Sequence, residues 1–320
     1  MKHLNHHNLL LHLLWMMLLP ACDKAPGALA DLQVKVVRNE AGTRVEGQGA
    51  LYEDDVLSVQ LFAFDSRGLL EAEDYFHDCT GSLKVADGDK TVYALVNEAR
   101  IAAPASESSL LGTVSELVDN ISDRLVMVGS TAAQVTGDVS IVIRVKRLVS
   151  KIQLGEIAVD FAYGGFTGIH INSLYLTNVN SSTTLDGTGM AVPEKWFNRM
   201  GHARSACDGI LFEDIGCTLP DKGSHKVTHS FYAYPNHTVE DTHGGGSFSA
   251  RYTRLVIDTD LGYYHIDFPD LSPNKAYIIN KVTITGPGAG TPEEHVERAN
   301  CTFKITVKDW ETGTSITEII

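Results

Sequence analysis

Short runs in which every second residue is apolar recur along this chain, and they restrict most of it to sheets that turn one face to a core. Leu32, Val34 and Val36 alternate with Gln33 and Lys35, and Leu57, Val59, Leu61 and Ala63 alternate with Ser58, Gln60 and Phe62. Val139, Ile141, Ile143 and Val145 alternate with Ser140, Val142 and Arg144, and Cys301, Phe303, Ile305 and Val307 alternate with Thr302, Lys304 and Thr306. Successive strand side chains leave on opposite faces, so this period sorts each run into a buried and an exposed row. Turn-forming clusters separate the runs: Asp65-Ser66-Arg67-Gly68, Asp87-Gly88-Asp89, Asn236-His237 and Gly286-Pro287-Gly288-Ala289-Gly290. Only Ser109–Asn120 reads as helical, with Leu110, Leu111, Val114, Leu117 and Val118 on one face and Ser106, Ser108 and Ser109 as N-cap candidates. Many short strands and one short helix predict an all-β protein of two tandem β-sandwiches, with the helix in the first. The boundary is expected near Ser150, where the strand Val139–Val149 passes into Lys151-Ile152-Gln153-Leu154.

The N-terminus is of a different kind. One lysine (Lys2) and three histidines (His3, His6, His7) precede a run from Leu9 to Leu19 that is apolar except for His12. The run is too short to cross a bilayer as a mature helix and has the length of a signal-peptide core. It ends at Leu19-Pro20-Ala21-Cys22. A small residue before a cysteine at that place reads as a lipoprotein processing site: residues 1–21 are a signal peptide, and Cys22 is the lipidated N-terminus. Each acyl CH₂ buried in a membrane contributes about 0.8 kcal/mol, so several chains make a stable anchor. The other reading is an ordinary secretory signal with an incidental cysteine after it.

The mature chain then has about 300 residues, enough for two domains. The formal net charge of −14 comes with no basic stripe, which sets nucleic acid aside as a partner. Four cysteines remain after Cys22: Cys79, Cys207, Cys217 and Cys301. Cys207 and Cys217 bracket a short loop with Gly209 and Gly216 and are the first pair expected in a disulfide; four independent thiols are the alternative.

No catalytic constellation is found. His243-Gly244-Gly245-Gly246 looks like an oxyanion-hole run, but the nucleophile pentapeptide G-x-S-x-G that such chemistry needs is missing from the sequence. His225 and His229 would stand about 13 Å apart on a strand, too far to share an ion, and His202, His237 and His243 follow no ligand spacing. No metal and no cofactor is expected. Asp258 with Asp260, and Asp267 with Asp270, read as solvated turns, with calcium as the competing reading. Trp196, Phe197, Tyr263 and Tyr264 could bind glycan if exposed, although core roles are commoner for such residues.

The order of segments resembles the fimbrillin family of Bacteroidales, the lipoprotein pilins called type V. After Cys22 come a polar spacer, an isolated strand Leu32–Val37 and a glycine-containing loop carrying Arg44. The strand Leu57–Asp65 ending at Gly68, and Thr91-Val92-Tyr93-Ala94-Leu95-Val96-Asn97, look like parts of that family's first domain. Arg147-Leu148-Val149-Ser150-Lys151-Ile152 looks like its interdomain signature. Phe231-Tyr232-Ala233-Tyr234-Pro235-Asn236, Asn274-Lys275-Ala276-Tyr277, Val282–Gly288 with Pro292, and Val307-Lys308-Asp309-Trp310 are similar to elements of its second half.

The resemblance implies transthyretin-like sandwiches and an outer-membrane precursor divided into a lipidated propeptide (22–44), a first domain (45–150) and a second domain (151–320). It implies that a trypsin-like protease cuts at Arg44, with Arg38 as the alternative, and removes the strand carrying Leu32, Val34 and Val36. The emptied groove would then take a donor strand from another fimbrial subunit. The apolar C-terminus, Thr314–Ile320 with Ile316, Glu318, Ile319 and Ile320, is the donor candidate. Partners implied are other subunits, the outer membrane through the lipid, and a host protein or glycan. The alternatives are a fimbrial anchor or tip adhesin, and a surface lipoprotein that binds glycan without polymerising.

Overall fold

The computed structural model describes residues 29–38, 53, 55–162, 164–188, 196–199, 208–238, 240–241, 250–296, 300–310 and 315–318. Within these residues the chain is all-β, as the alternation predicts. The first half contains β1 (Ala30–Arg38), β2 (Val59–Asp65), β3 (Leu70–Phe76), β4 (Thr80–Val85), β5 (Gly88–Val96), β6 (Val114–Glu116), β7 (Met127–Val135) and β8 (Val139–Arg147). The second contains β9 (Ser150–Leu154), β10 (Glu156–Val159), β11 (Gly168–Thr177), β12 (Val179–Asn180), β13 (Ser182–Thr184), β14 (Trp196–Phe197), β15 (Phe212–Pro220), β16 (Ser224–Lys226) and β17 (Ser230–Ala233). It continues with β18 (Thr253–Thr259), β19 (Gly262–Phe268), β20 (Lys275–Ile284), β21 (Cys301–Asp309) and β22 (Ser315–Glu318). Two short helices, α1 (Glu107–Leu111) and α2 (Asp208–Leu211), punctuate them. Among the described residues no helix is long and apolar enough to cross a membrane.

In the first half the strands run in the order β3-β2-β5-β7-β8-β1-β4. β7 and β8 pair only through Met127–Arg147 and Val128–Lys146, so the path bends there into two layers. Val59, Leu61 and Ala63 of β2 and Val92, Ala94 and Val96 of β5 face Leu32, Val34 and Val36 of β1, with Leu83, Val85, Ile143 and Val145 from β4 and β8, across one dry core. Two layers closed over an apolar interior make a β-sandwich.

β2 departs from the one-faced expectation. Phe62 and Phe64, on its other face, are also buried, against Leu95, Leu110 and Leu117. That second cluster runs on without a break into Ile152, Leu174, Phe231 and Leu255 of the second half. β2 is an interior strand covered on both sides, which erases the polar row that the alternation rule requires.

The helix reading is also corrected. Ser106 caps the helix as expected, its Oγ accepting from Ser109 N, but the helix ends at Leu111 with Gly112 as its C-cap. Strand β6 and a 3₁₀ turn, Leu117–Asp119, replace its second half. Val114 and Val118 are about half exposed, so the apolar stripe is not a buried face.

Strands up to Arg147 belong to the first sheet system, and strands from Ser150 onward to the second, with one crossing ladder between β6 and β13. In the second half β15-β11-β18-β19 form one layer. The facing layer has β9 and β10 lying in tandem beside β20, with β21 and β22 beyond it. Gly155 sits between β9 and β10, where a Cβ would meet Asn280 O at 2.7 Å; only glycine lets the chain pass this bulge.

The family-like segments converge where the halves meet. Arg147 N donates to Asn274 Oδ1 at 3.2 Å, and Asn274 N donates to the Val149 carbonyl. The Arg147 guanidinium lies 4.3 Å above the Trp310 ring, and Tyr232 stacks on that ring at 6.0 Å. Beneath them Lys151 Nζ reaches both carboxylate oxygens of Glu53, at 2.7 and 3.0 Å, and Tyr232 OH donates to the same group. A few ångströms on, Tyr234 OH bonds Ser115 Oγ (2.8 Å) and Asn120 Nδ2 (2.9 Å) out of contact with water. Tyr234→Phe removes the acceptor of Asn120 Nδ2, while Ser115 Oγ keeps Glu98; a buried donor left unsatisfied costs about 1–3 kcal/mol. The expected result is a lower melting temperature by calorimetry with an unchanged β circular-dichroism spectrum; an unchanged melting temperature would mean that water replaces the hydroxyl.

Candidate functional site

β1 is the one segment of the first sandwich whose place in the fold does not follow from its neighbours in sequence. It enters before any other described strand, yet it lies in the middle of a layer, between β4 and β8. Its pairing with β4 is antiparallel, from Ala30–Val85 to Lys35–Thr80. Its pairing with β8 is parallel, from Leu32–Val139 to Arg38–Val145. Both ladders flank it, so its withdrawal would expose two rows of backbone donors and acceptors at once.

The side chains repeat the point. Leu32, Val34 and Val36 are 0 %, 2 % and 3 % exposed, and Ala30 also faces inward. Each large apolar side chain contributes about 1.5–3 kcal/mol by burial. Three of them together compare with the whole stability of a typical domain, about 5–15 kcal/mol. The outward row, Asp31, Gln33, Lys35 and Val37, is mostly polar and lightly held: Asp31 pairs with Lys84 at 2.6 Å in an exposed bridge, and Asp31 N donates to Asp138 Oδ1 at 2.9 Å. Such surface pairs contribute little. The strand is therefore fixed by its apolar row and its two ladders, the features that another strand of the same pattern could reproduce.

Covalently, β1 connects to the sandwich only through residues 39–58, which run from its end to the start of β2. Arg38 is the last residue of β1, and Arg44 lies in this connection but outside the described residues. The connection is pinned at Glu53, whose buried carboxylate takes Lys151 and Tyr232. At its far end Leu57 N donates to Asn97 Oδ1 (2.8 Å), and Asn97 Nδ2 donates to the carbonyls of Asp55 and Leu125. A break at Arg44 or Arg38 therefore falls between the strand and the pins. Residues after the break stay joined to the pinned sandwich; β1, before the break, is then held by non-covalent contacts alone.

At the other end of the chain β22 pairs antiparallel with β21, from Ile305–Glu318 to Lys308–Ser315, as the last strand of its layer. Ile316 and Glu318 belong to it, and Ile319 and Ile320 lie outside the described residues. Cys22 and Cys207 lie outside them too. Cys217 is half-buried on β15, and burial pushes its thiol above the ordinary range. Burial pushes Cys301 further, to about 12, which makes it unreactive.

The remaining candidates disperse. His202 and His243–Gly246 are outside the described residues. His229 Nδ1 lies 3.2 Å from Glu213, and His237 pairs with Asp270 at 2.7 Å. Each carboxylate of the two calcium candidates is engaged separately: Asp258 by Asn172 Nδ2, Asp260 by His170 N, Asp267 by Arg254 Nε and Asp270 by His237. Tyr264 is fully buried with its hydroxyl on the Gly286 carbonyl, and Trp196, Phe197 and Tyr263 are half-buried. They form no exposed aromatic platform.

Sequence spacing misses two groupings. One is the buried Glu53 pin. The other joins His265, Asp267 and His295, whose possible ligand atoms all lie within 4.8 Å of one another. The pair at 265 and 267 is visible as an i, i+2 couple on one strand face; the third member lies on a distant loop.

No protein-family model matches the sequence, and no curated protein matches it. Solved structures do. A fimbrillin from Porphyromonas gingivalis superposes with a TM-score of 0.64 at 13% identity, covering 89% of this chain and 98% of its own. A candidate cell adhesion protein from Bacteroides eggerthii gives 0.63 at 18% identity, covering 89% and 97%. Another from Parabacteroides distasonis gives 0.63 at 14%, covering 88% and 100%. The chain thus has a fimbrillin-like fold over nearly its whole described length.

Proposed function

We propose that this protein is a structural subunit of a cell-surface fimbria, assembled by protease-triggered strand exchange and serving adhesion. The observation that carries the proposal is β1: an early strand, parallel to β8 and antiparallel to β4, buried along its apolar row and joined to the rest by one connection. The precursor is exported, lipidated at Cys22 and held on the outer membrane. A trypsin-like protease cuts at Arg44, β1 leaves with residues 22–44, and the groove between β4 and β8 takes a strand from another subunit. Adding a strand to open sheet edges supplies backbone hydrogen bonds, while the pockets of Leu32, Val34 and Val36 read alternate side chains. The fold shared with a fimbrillin and with candidate adhesion proteins supports the same reading. The role is mechanical and adhesive, not catalytic.

The donor is the C-terminal segment. Among the described residues β22 pairs with β21 alone, so it can be released without unfolding the layer behind it. A chain lacking residues 314–320 is expected to be exported and cut normally and to lose the polymers that survive SDS without boiling. Fimbriae of normal length from that deletion would assign the donor elsewhere.

A further inference from the structure

We propose that His265, Asp267 and His295 form a surface site for a borderline divalent cation of the zinc, cobalt or nickel class. His265 Nε2 stands 3.3 Å from His295 Nδ1 and 3.5 Å from Asp267 Oδ1. Donors held about 2.0–2.1 Å from a tetrahedral zinc ion are about 3.3 Å apart, so both spacings from His265 are already those of a coordination shell, and the Asp267 and His295 donors lie within 4.8 Å of each other. Two imidazoles and one carboxylate select such ions over calcium or magnesium, which require oxygen-rich shells.

The site is held in place from both sides. His265 and Asp267 project from one face of β19, the edge strand of its layer. His295 comes from the loop after β20, which Glu293 fastens. That buried carboxylate accepts from Arg251 (3.1 Å), Arg254 (2.9 Å) and Asn178 (3.2 Å). Thr291 and Glu294 close the loop on itself. Arg254 Nε also donates to Asp267 Oδ1 at 2.8 Å, which orients the carboxylate as an outer-shell partner does. The guanidinium is not a bare positive charge facing the cation, because Asp241, Asp267 and Glu293 all contact it.

His265 is buried, and burial favours its neutral, ligating form. Its Nδ1 has no partner, so the usual acceptor behind a metal-bound imidazole is lacking, and binding about 10–100-fold weaker than in fully supported sites is expected. His295 is exposed, which leaves a coordination position open to water or to a donor from another molecule.

The full chain and its His295→Ala variant are to be titrated side by side with Co²⁺, monitored by visible absorption and calorimetry. Leader histidines contribute equally to both. The expected result is one equivalent more in the wild type, with the d–d bands of a four- or five-coordinate ion. That equivalent should be lost or weakened at least tenfold in His295→Ala and in His265→Gln, and kept in His237→Ala. Equal stoichiometry and affinity in wild type and His295→Ala would overturn the proposal and leave the 3.3 Å contact as a hydrogen bond between two imidazoles. Because His295 is exposed, this variant does not depend on the buried His265→Gln chain folding.

Discussion

An Arg44→Ala chain is expected to remain a lipid-anchored monomer with Ala30–Arg38 still seated between β4 and β8. The reason is competition for one groove. While residues 39–58 tie β1 to the sandwich, its effective concentration is on the order of millimolar. A donor segment from a second chain at micromolar concentration faces a disadvantage of roughly a thousandfold, about 4 kcal/mol. Once the connection is cut, the advantage disappears. The freed strand diffuses away, and the open edges and empty apolar pockets favour a new occupant. Electrophoresis without boiling should show ladders in the wild type and a single band in Arg44→Ala. If Arg44→Ala polymerises and Arg38→Ala does not, the cut is at Arg38 and the role of β1 stands.

Replacing Lys151 by alanine is expected to cost about 3–5 kcal/mol, because it leaves the Glu53 carboxylate buried without its cation. Both side chains are under a tenth exposed. In a chain of this length that corresponds to a fall in melting temperature of roughly 10 °C. Glu53→Gln alone strands the ammonium and costs a similar amount. The double variant Glu53→Gln/Lys151→Met removes both charges and should recover most of the loss. A double variant no better than Lys151→Ala would mean that the pair acts through packing against Trp310 and not through its charges.

Patterns of short period are legible in the sequence. β1, β8 and β21 stand out because each has one covered face and keeps a largely polar row on the other. β2 reads as one-faced because Gln60, polar on its second face, hides the fact that Phe62 and Phe64 are covered as deeply as Leu61. Gln60 is buried too, its amide held by Glu73 and the Ile101 carbonyl. The helix reads as too long because Leu110, Val114, Leu117 and Val118 have helical spacing, and spacing alone does not tell which apolar residues meet a core. Arg147–Ile152, Tyr232, Asn274 and Val307–Trp310 stand out as separate segments; only the fold brings them to one junction. Glu53 gives no signal, since Glu53-Asp54-Asp55 reads as a solvated acidic run. His295 is invisible for a related reason: its partners are on a strand that it approaches only in three dimensions.

If β1 is present in the precursor and replaced in the fibre, the two forms differ at their N-termini. The decisive measurement is the N-terminal residue of two pools from the same cells, the detergent-released monomer and the SDS-resistant polymer, by mass spectrometry. The expected result is an acylated Cys22 on the monomer and Val45 on the polymer, with no peptide spanning Leu32–Val37 in the latter. A polymer that begins at acylated Cys22 and retains Leu32–Val37 would refute strand replacement.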